Sequence, residues 1–142
     1  MKKLLFLSVI LFMTVSSFGV YAQGSTKSKT PAVSYSSNVE VYYFHLTRRC
    51  MTCKAVEAEA RKAIASLYPS QSKSKKISFV AVNLDNKASK ALASRCKAEG
   101  QALLVIHGNK RIDLTDKAFL YAVNNPDKLK QELKKTIDPL LN

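Results

Sequence analysis

The chain has no tryptophan, four glycines, four prolines, three cysteines, two histidines and 10 acidic residues against 23 basic ones. Each shortage narrows what the protein does. Without tryptophan there is no obvious platform on which a flavin or a nucleotide base would stack. Gly19, Gly24, Gly100 and Gly108 stand apart and build no glycine-rich phosphate loop. No serine triad, no pair of carboxylates arranged for acid–base work and no internal repeat is visible. No cofactor is therefore expected on this chain, and a flavin or nucleotide would have to sit on a partner. After the first two dozen residues no apolar run approaches the roughly 18 residues of a membrane-spanning helix.

The N-terminus sets the compartment. Lys2 and Lys3 precede an apolar run from Leu4 to Met13, and small and polar residues then lead to Val20-Tyr21-Ala22. This is the order of a secretory signal peptide, predicted over 1–22 and cleaved before Gln23. The protein is expected to be periplasmic or secreted, with no stable membrane insertion after cleavage. No cysteine follows the cut, which argues against a lipid anchor. Lys2 and Lys3 leave with the signal, taking the net charge from +13 to +11. So basic a chain suits nucleic acid, anionic lipid or an acidic partner. The lysines are scattered, however, with no aromatic-interleaved basic motif and no helix-turn-helix pattern, so nucleic-acid binding is not expected.

Residues 23–38, "QGSTKSKTPAVSYSSN", are rich in Ser, Thr and Lys and are predicted to be a flexible linker. The folded domain is predicted over 39–142. It opens with "VEVYYFH" (39–45), a β-branched and aromatic run whose weak alternation suits a strand buried on both faces. Next come the cysteines and "KAVEAEARKAIASLY", with Val56, Ala60, Ile64 and Leu67 on one helical face, ended by Pro69. A polar loop "SQSKSKK" is expected before a second buried strand at 77–84, and a weaker helix at 86–100 closed by Gly100. Residues 102–107 and 110–114 read as a hairpin around Gly108-Asn109. Two helices finish the chain. The second is opened by Asn125-Pro126 and carries the stripe Leu129, Leu133, Ile137 and Leu140.

The chemistry concentrates in "RRCMTCKAVE" (48–57), where Cys50 and Cys53 stand three positions apart between the first strand and the first helix. A cysteine at a helix start meets unpaired N–H groups and the positive end of the helix dipole, so its thiolate is favoured. With Arg48, Arg49 and Lys54 nearby, Cys50 is expected to titrate below the usual thiol value of about 8.5 and to act as the attacking thiol. Cys53, one turn in and less exposed, is expected to resolve the mixed disulfide.

The element order β-α-β-α-β-β-α with a Cys-x-x-Cys pair at the first strand–helix junction resembles the thioredoxin-like fold, an α/β architecture with a central mixed sheet flanked by helices. "CMTCK" keeps the lysine that often follows the pair in thioredoxins. More narrowly, "YYFHLTRRCMTCKAVE" with "GQALLVIHGNKRIDLTDKAFLYAV" resembles the small secreted thioredoxin-like family described as nitrophenyl-compound nitroreductase subunits and associated with arsenic-resistance operons. The resemblance implies thiol–disulfide exchange with a protein partner, and a flavin-bearing reductase as one such partner. Two departures stand out. Where thioredoxins place a cis-proline facing the pair, this chain is read as having Ala102, with a trans peptide before it. Phe44 stands where a buried acid would assist the resolving thiol.

Metal binding is the rival reading. "MTCKAV" is similar to the loop of heavy-metal-associated domains, but the second cysteine of that motif would fall on Val56. An open site could still hold Cu(I), Zn²⁺ or a trivalent arsenical between Cys50 and Cys53. A plain structural clip is the third reading. Cys96 leaves the mature cysteine count odd and reads as a half-buried helix residue, with a third ligand or regulatory thiol as the alternative. His45 reads as a strand-end residue before a base or ligand, His107 as a hairpin residue, and Tyr42, Tyr43 and Phe44 as core.

Overall fold

The computed structural model describes residues 37–142. The expected signal peptide and all but the last two residues of the expected linker lie outside that range. β1 (Val39–His45) is the central strand, paired parallel with β2 (Ile77–Asn83) and antiparallel with β3 (Ala102–His107), which in turn pairs antiparallel with β4 (Lys110–Asp113). The sheet order is β2-β1-β3-β4. Helix α1 (Met51–Leu67) follows β1, the short α2 (Pro69–Lys73) precedes β2, and α3 (Lys90–Cys96) bridges β2 and β3. α4 (Thr115–Tyr121) and α5 (Pro126–Leu141) close the chain. This is the mixed sheet with flanking helices that the element order predicts. Among the described residues no helix is long and apolar enough to cross a membrane.

Because side chains alternate along a strand, β1 supplies two separate cores. Val39, Val41 and Tyr43 face α1, α4 and α5, and pack with Val56, Ala60, Leu133 and Ile137. Tyr42 and Phe44 face α3, packing with Val82, Ala93 and Cys96. The predicted stripe of α5 is the core contact, with Leu129, Leu133 and Ile137 fully buried. Its start is also as expected: the Asn125 side chain accepts the Lys128 N–H at 3.1 Å, and Pro126, which has no N–H to leave unpaired, takes the first position.

Three expectations need correction. β2 is not buried on both faces: it is an edge strand, and Val80 is 40% exposed. β-branched composition marks a strand but not its place in the sheet. The polar stretch after Pro69 is partly helical, since a proline that ends one helix is well suited to begin the next. Gly100 does not close α3. A 3₁₀ turn at Lys87–Ser89 leads into the helix, which ends at Lys97 in the left-handed region (φ 51°), with Ala98 N–H donating to Ala93 O at 2.9 Å. A left-handed lysine costs about 1 kcal/mol; burying Ala93 and Cys96 on the sheet offsets it.

Candidate functional site: a dithiol pair at a helix start

β1 ends at His45, and the loop from Leu46 to Arg49 delivers Cys50 to the start of α1. Groups at and just past the end of β2 hold that loop. Leu84 N–H donates to His45 O at 2.7 Å, Thr47 N–H to Asp85 Oδ2 at 2.7 Å, and Asn83 Nδ2 to Thr47 Oγ1 at 2.9 Å. The hydrogen bond from the Thr47 backbone keeps the Asp85 carboxyl below the usual carboxylate range.

Cys50 caps α1 from an extended conformation (φ −72°, ψ 171°), and its sulfur accepts the Cys53 N–H at 3.2 Å. A serine or aspartate oxygen ordinarily fills that place; here a sulfur takes it. Cys50 and Cys53 are joined as a disulfide with Cα atoms 5.2 Å apart. Cys50 is exposed, whereas Cys53 is 3% exposed. One cysteine is therefore open to solvent and the other lies beneath it, the difference in exposure expected from the sequence.

Below Cys53 lies a residue that the sequence reading left in the core. Tyr43 is fully buried, and its hydroxyl donates to Cys53 O at 2.9 Å, fixing the first turn of α1 to the central strand. Burial pushes its phenol up, against the opposing pull of Arg49. The period of two along β1 was the available signal, since Tyr43 and not Phe44 shares a face with α1. Phe44 points the other way. The residue beneath the pair is thus Tyr43, and neither position supplies a carboxylate.

The cations around Cys50 divide into two kinds. Arg49 forms an ion pair with Glu57, whose other oxygen accepts from Arg61 at 3.1 Å. Arg61 in turn lies over the Phe79 ring, 4.7 Å from its centroid. Burial alone would raise the Glu57 carboxyl, but hydrogen bonds from Arg61 and Arg49 hold it below its ordinary value. Arg48 and Lys54 are exposed and make no ion pair within the described residues. The positive charge available beside Cys50 is therefore smaller than the sequence count implies.

The Ala102 side chain lies on the sheet face away from α1. It sits opposite Phe44 in the β1–β3 register and packs with Phe44 and Leu104 on the α3 side, while its neighbour Leu103, opposite Tyr43, lies on the α1 side. A one-residue step along a strand changes face. The peptide before Ala102 is trans, as expected. Gln101, just before the strand, has its side-chain oxygen buried without a hydrogen-bond partner among the described residues.

Cys96 is a free thiol and 2% exposed, more deeply buried than expected, with burial raising it. It lies in the α3-side core, so it is not brought to the pair as a third ligand. His45 ends β1 with its Nδ1 2.9 Å from Leu46 O, which makes Nδ1 the donor, and its ring rests 5.8 Å from that of Tyr43. His107 lies at the far end of the sheet, with Nε2 3.0 Å from Ser37 O. Among the described residues no group of three or more His, Cys, Asp or Glu gathers where a metal ion would sit. Among the described residues, Cys50 and Cys53 are the cysteines at this site.

No family model matches the chain, and no curated protein matches it. Among solved structures, thioredoxin from Trypanosoma brucei brucei is similar over 73% of this chain and 79% of that one, with 22% identity and a TM-score of 0.45. The sheet order and register described above have the thioredoxin-like arrangement. The fold is thioredoxin-like. Within it the Cys50-x-x-Cys53 pair stands at disulfide distance.

Proposed function

We propose that the protein is an extracytoplasmic dithiol–disulfide exchange protein in which Cys50 attacks and Cys53 resolves. One observation carries this reading: an exposed cysteine at a helix N-cap is bonded to a buried one a single turn inside, and its sulfur receives that turn's N–H. In the reduced protein the Cys50 thiolate attacks one sulfur of a partner disulfide and expels a partner thiolate, giving a mixed disulfide. Cys53, deprotonated, then attacks the Cys50 sulfur and expels the second thiolate. The partner gains two electrons, and the pair loses two as Cys50–Cys53 forms. Run backwards, the same steps oxidise a partner dithiol.

The finer reading adds three elements. Export rests on the order of charge, apolar run and small residues over 1–22. Service as the thiol-bearing subunit of a nitroaromatic-reducing or arsenic-detoxifying system, with a flavin-bearing reductase as partner, rests on the likeness of residues 42–57 and 100–123 to the secreted family named above. The scarcity of cofactor-binding features on this chain is consistent with the flavin residing on such a partner.

Trapping tests the core of the proposal. Cys53→Ser should accumulate mixed disulfides through Cys50, identifiable by mass spectrometry, while Cys50→Ser should accumulate none. If the pair instead serves as a thiolate site for soft metals or trivalent arsenic, Cys53→Ser loses ion binding and traps nothing. N-terminal sequencing of the exported protein tests export separately: Met1 at the N-terminus would reject cleavage.

A further inference from the structure

The exchange reading leaves open what the exposed sulfur meets, and the surface around Cys50 has a definite chemistry. Of the five large apolar side chains exposed in the described residues, Leu46 (40%) and Met51 (84%) lie within four positions of Cys50. Methionine is adaptable and enriched where proteins meet. Between and beside them stand Arg48 and Lys54, both exposed and neither engaged by an acid. This contrasts with Arg49 and Arg61, both held by Glu57. The first turn of α1 contains no acidic residue, and its free N–H groups add positive potential of their own. On the adjoining loop Asp85 accepts the Thr47 N–H and keeps its negative charge, but no ion pair joins it to Arg48 or Lys54. The fold thus pairs Arg49 with Glu57 and leaves Arg48 and Lys54 exposed without an ion pair among the described residues.

We propose that Leu46, Arg48, Met51 and Lys54 form a docking surface for an acidic, partly apolar protein segment that carries the disulfide or dithiol exchanged at Cys50. This rests on the redox reading and narrows it to a substrate class. The apolar pair receives a side chain next to the partner's cysteine. The free cations receive carboxylates flanking it and steer the encounter.

Three synthetic peptides test it, each with one intramolecular disulfide and a leucine beside the first cysteine, and differing only in whether glutamate, glutamine or lysine flanks the pair. The rate at which each oxidises the reduced protein is measured at low and at high salt. The acidic peptide should exceed the basic one by about tenfold at low salt, and the difference should shrink as salt screens it. Arg48→Gln with Lys54→Gln should bring the acidic-to-basic ratio close to one. Taking the ratio cancels any change in Cys50 reactivity. Lys76→Gln with Lys110→Gln removes the same charge at the opposite end of the sheet and should leave the ratio where it was. Met51→Ser should slow all three peptides alike; unchanged rates would overturn the apolar part of the surface. Equal rates for the three peptides, or a ratio that the distant pair moves as far as the local pair does, would overturn the docking proposal while leaving exchange intact. No reaction with any peptide would overturn the exchange reading and this inference with it.

Discussion

The two faces of the sheet are built from the same strand yet differ in depth and in purpose. On one side β1 presents Val39, Val41 and Tyr43 to α1, α4 and α5, a thick core beneath the cysteine pair. On the other it presents Tyr42 and Phe44 to α3, a seven-residue helix preceded by a 3₁₀ turn and ended by a left-handed lysine. Adjacent tyrosines show the division. The Tyr43 hydroxyl donates to Cys53 O and fixes the helix that carries the cysteine pair. The Tyr42 hydroxyl accepts from Arg95 at 3.1 Å and pins α3 to the sheet. The thick face holds the reactive loop still, and the thin face covers the sheet.

Truncation should expose the difference in depth most strongly. Ile137→Ala is expected to destabilise by about 2–5 kcal/mol, because removing a fully buried β-branched side chain of α5 leaves a cavity. Cys96→Ala on the thin face should cost about 1 kcal/mol. Urea unfolding of both variants checks this, and equal losses would break the comparison.

The tyrosines sharpen it. Tyr43→Phe and Tyr42→Phe should each cost about 1 kcal/mol, the net worth of a hydrogen bond. Only Tyr43→Phe should also shift the reduction potential of the Cys50–Cys53 pair, since only it loosens the turn that carries Cys53. A second reading of Tyr42 comes from pH. Its phenol is raised to about 12, by burial first and the neighbouring Glu40 next. The folded state therefore holds this proton more tightly than the unfolded chain, whose tyrosine titrates near 10. The resulting stability is present below pH 10 and is lost as pH rises from about 10 toward 12. Tyr42→Phe should flatten that alkaline decline in an unfolding series against pH.

The charge arrangement at the reactive loop gives a smaller effect. Glu57→Gln releases Arg49 beside Cys50, so alkylation of reduced Cys50 at pH 6 should quicken by about twofold to threefold. Arg49→Gln should restore the parent rate in that background; additive effects of the two changes would mean that Glu57 does not restrain Arg49. The smallest change concerns Gln101, whose buried oxygen has no partner among the described residues. Gln101→Met should be neutral or stabilising by up to about 1 kcal/mol, read as a small rise in the urea midpoint.

Much of this is legible in the sequence. β1, α1 and α5 announce themselves by run length and by apolar spacing, and the Cys50–Cys53 pair by its place between strand and helix. What could not be read depends on contacts distant in sequence. The edge position of β2 is set by which strands pair. The face of Ala102 is set by register, where a shift of one residue reverses every side chain. Tyr43 resembles its neighbours until the fold reveals which of them lies under Cys53. Arg49 counts as a cation beside the thiol until Glu57, eight positions along, is found to hold it.

The link between Cys50 and Cys53 closes a ring spanning three sequence positions. In chain-entropy terms a crosslink stabilises a fold by the disorder it removes from the unfolded chain, and that gain grows with the length of chain enclosed. For so short a ring it is about 2 kcal/mol, against about 3 for fifteen residues and nearly 5 for a hundred. Opening this bond therefore gives the unfolded chain less new freedom than opening a longer ring would, so reduction of the pair should cost the fold correspondingly less. A crosslink placed to hold distant parts of the chain together would make every reduction an invitation to unfold. This one encloses a single helical turn.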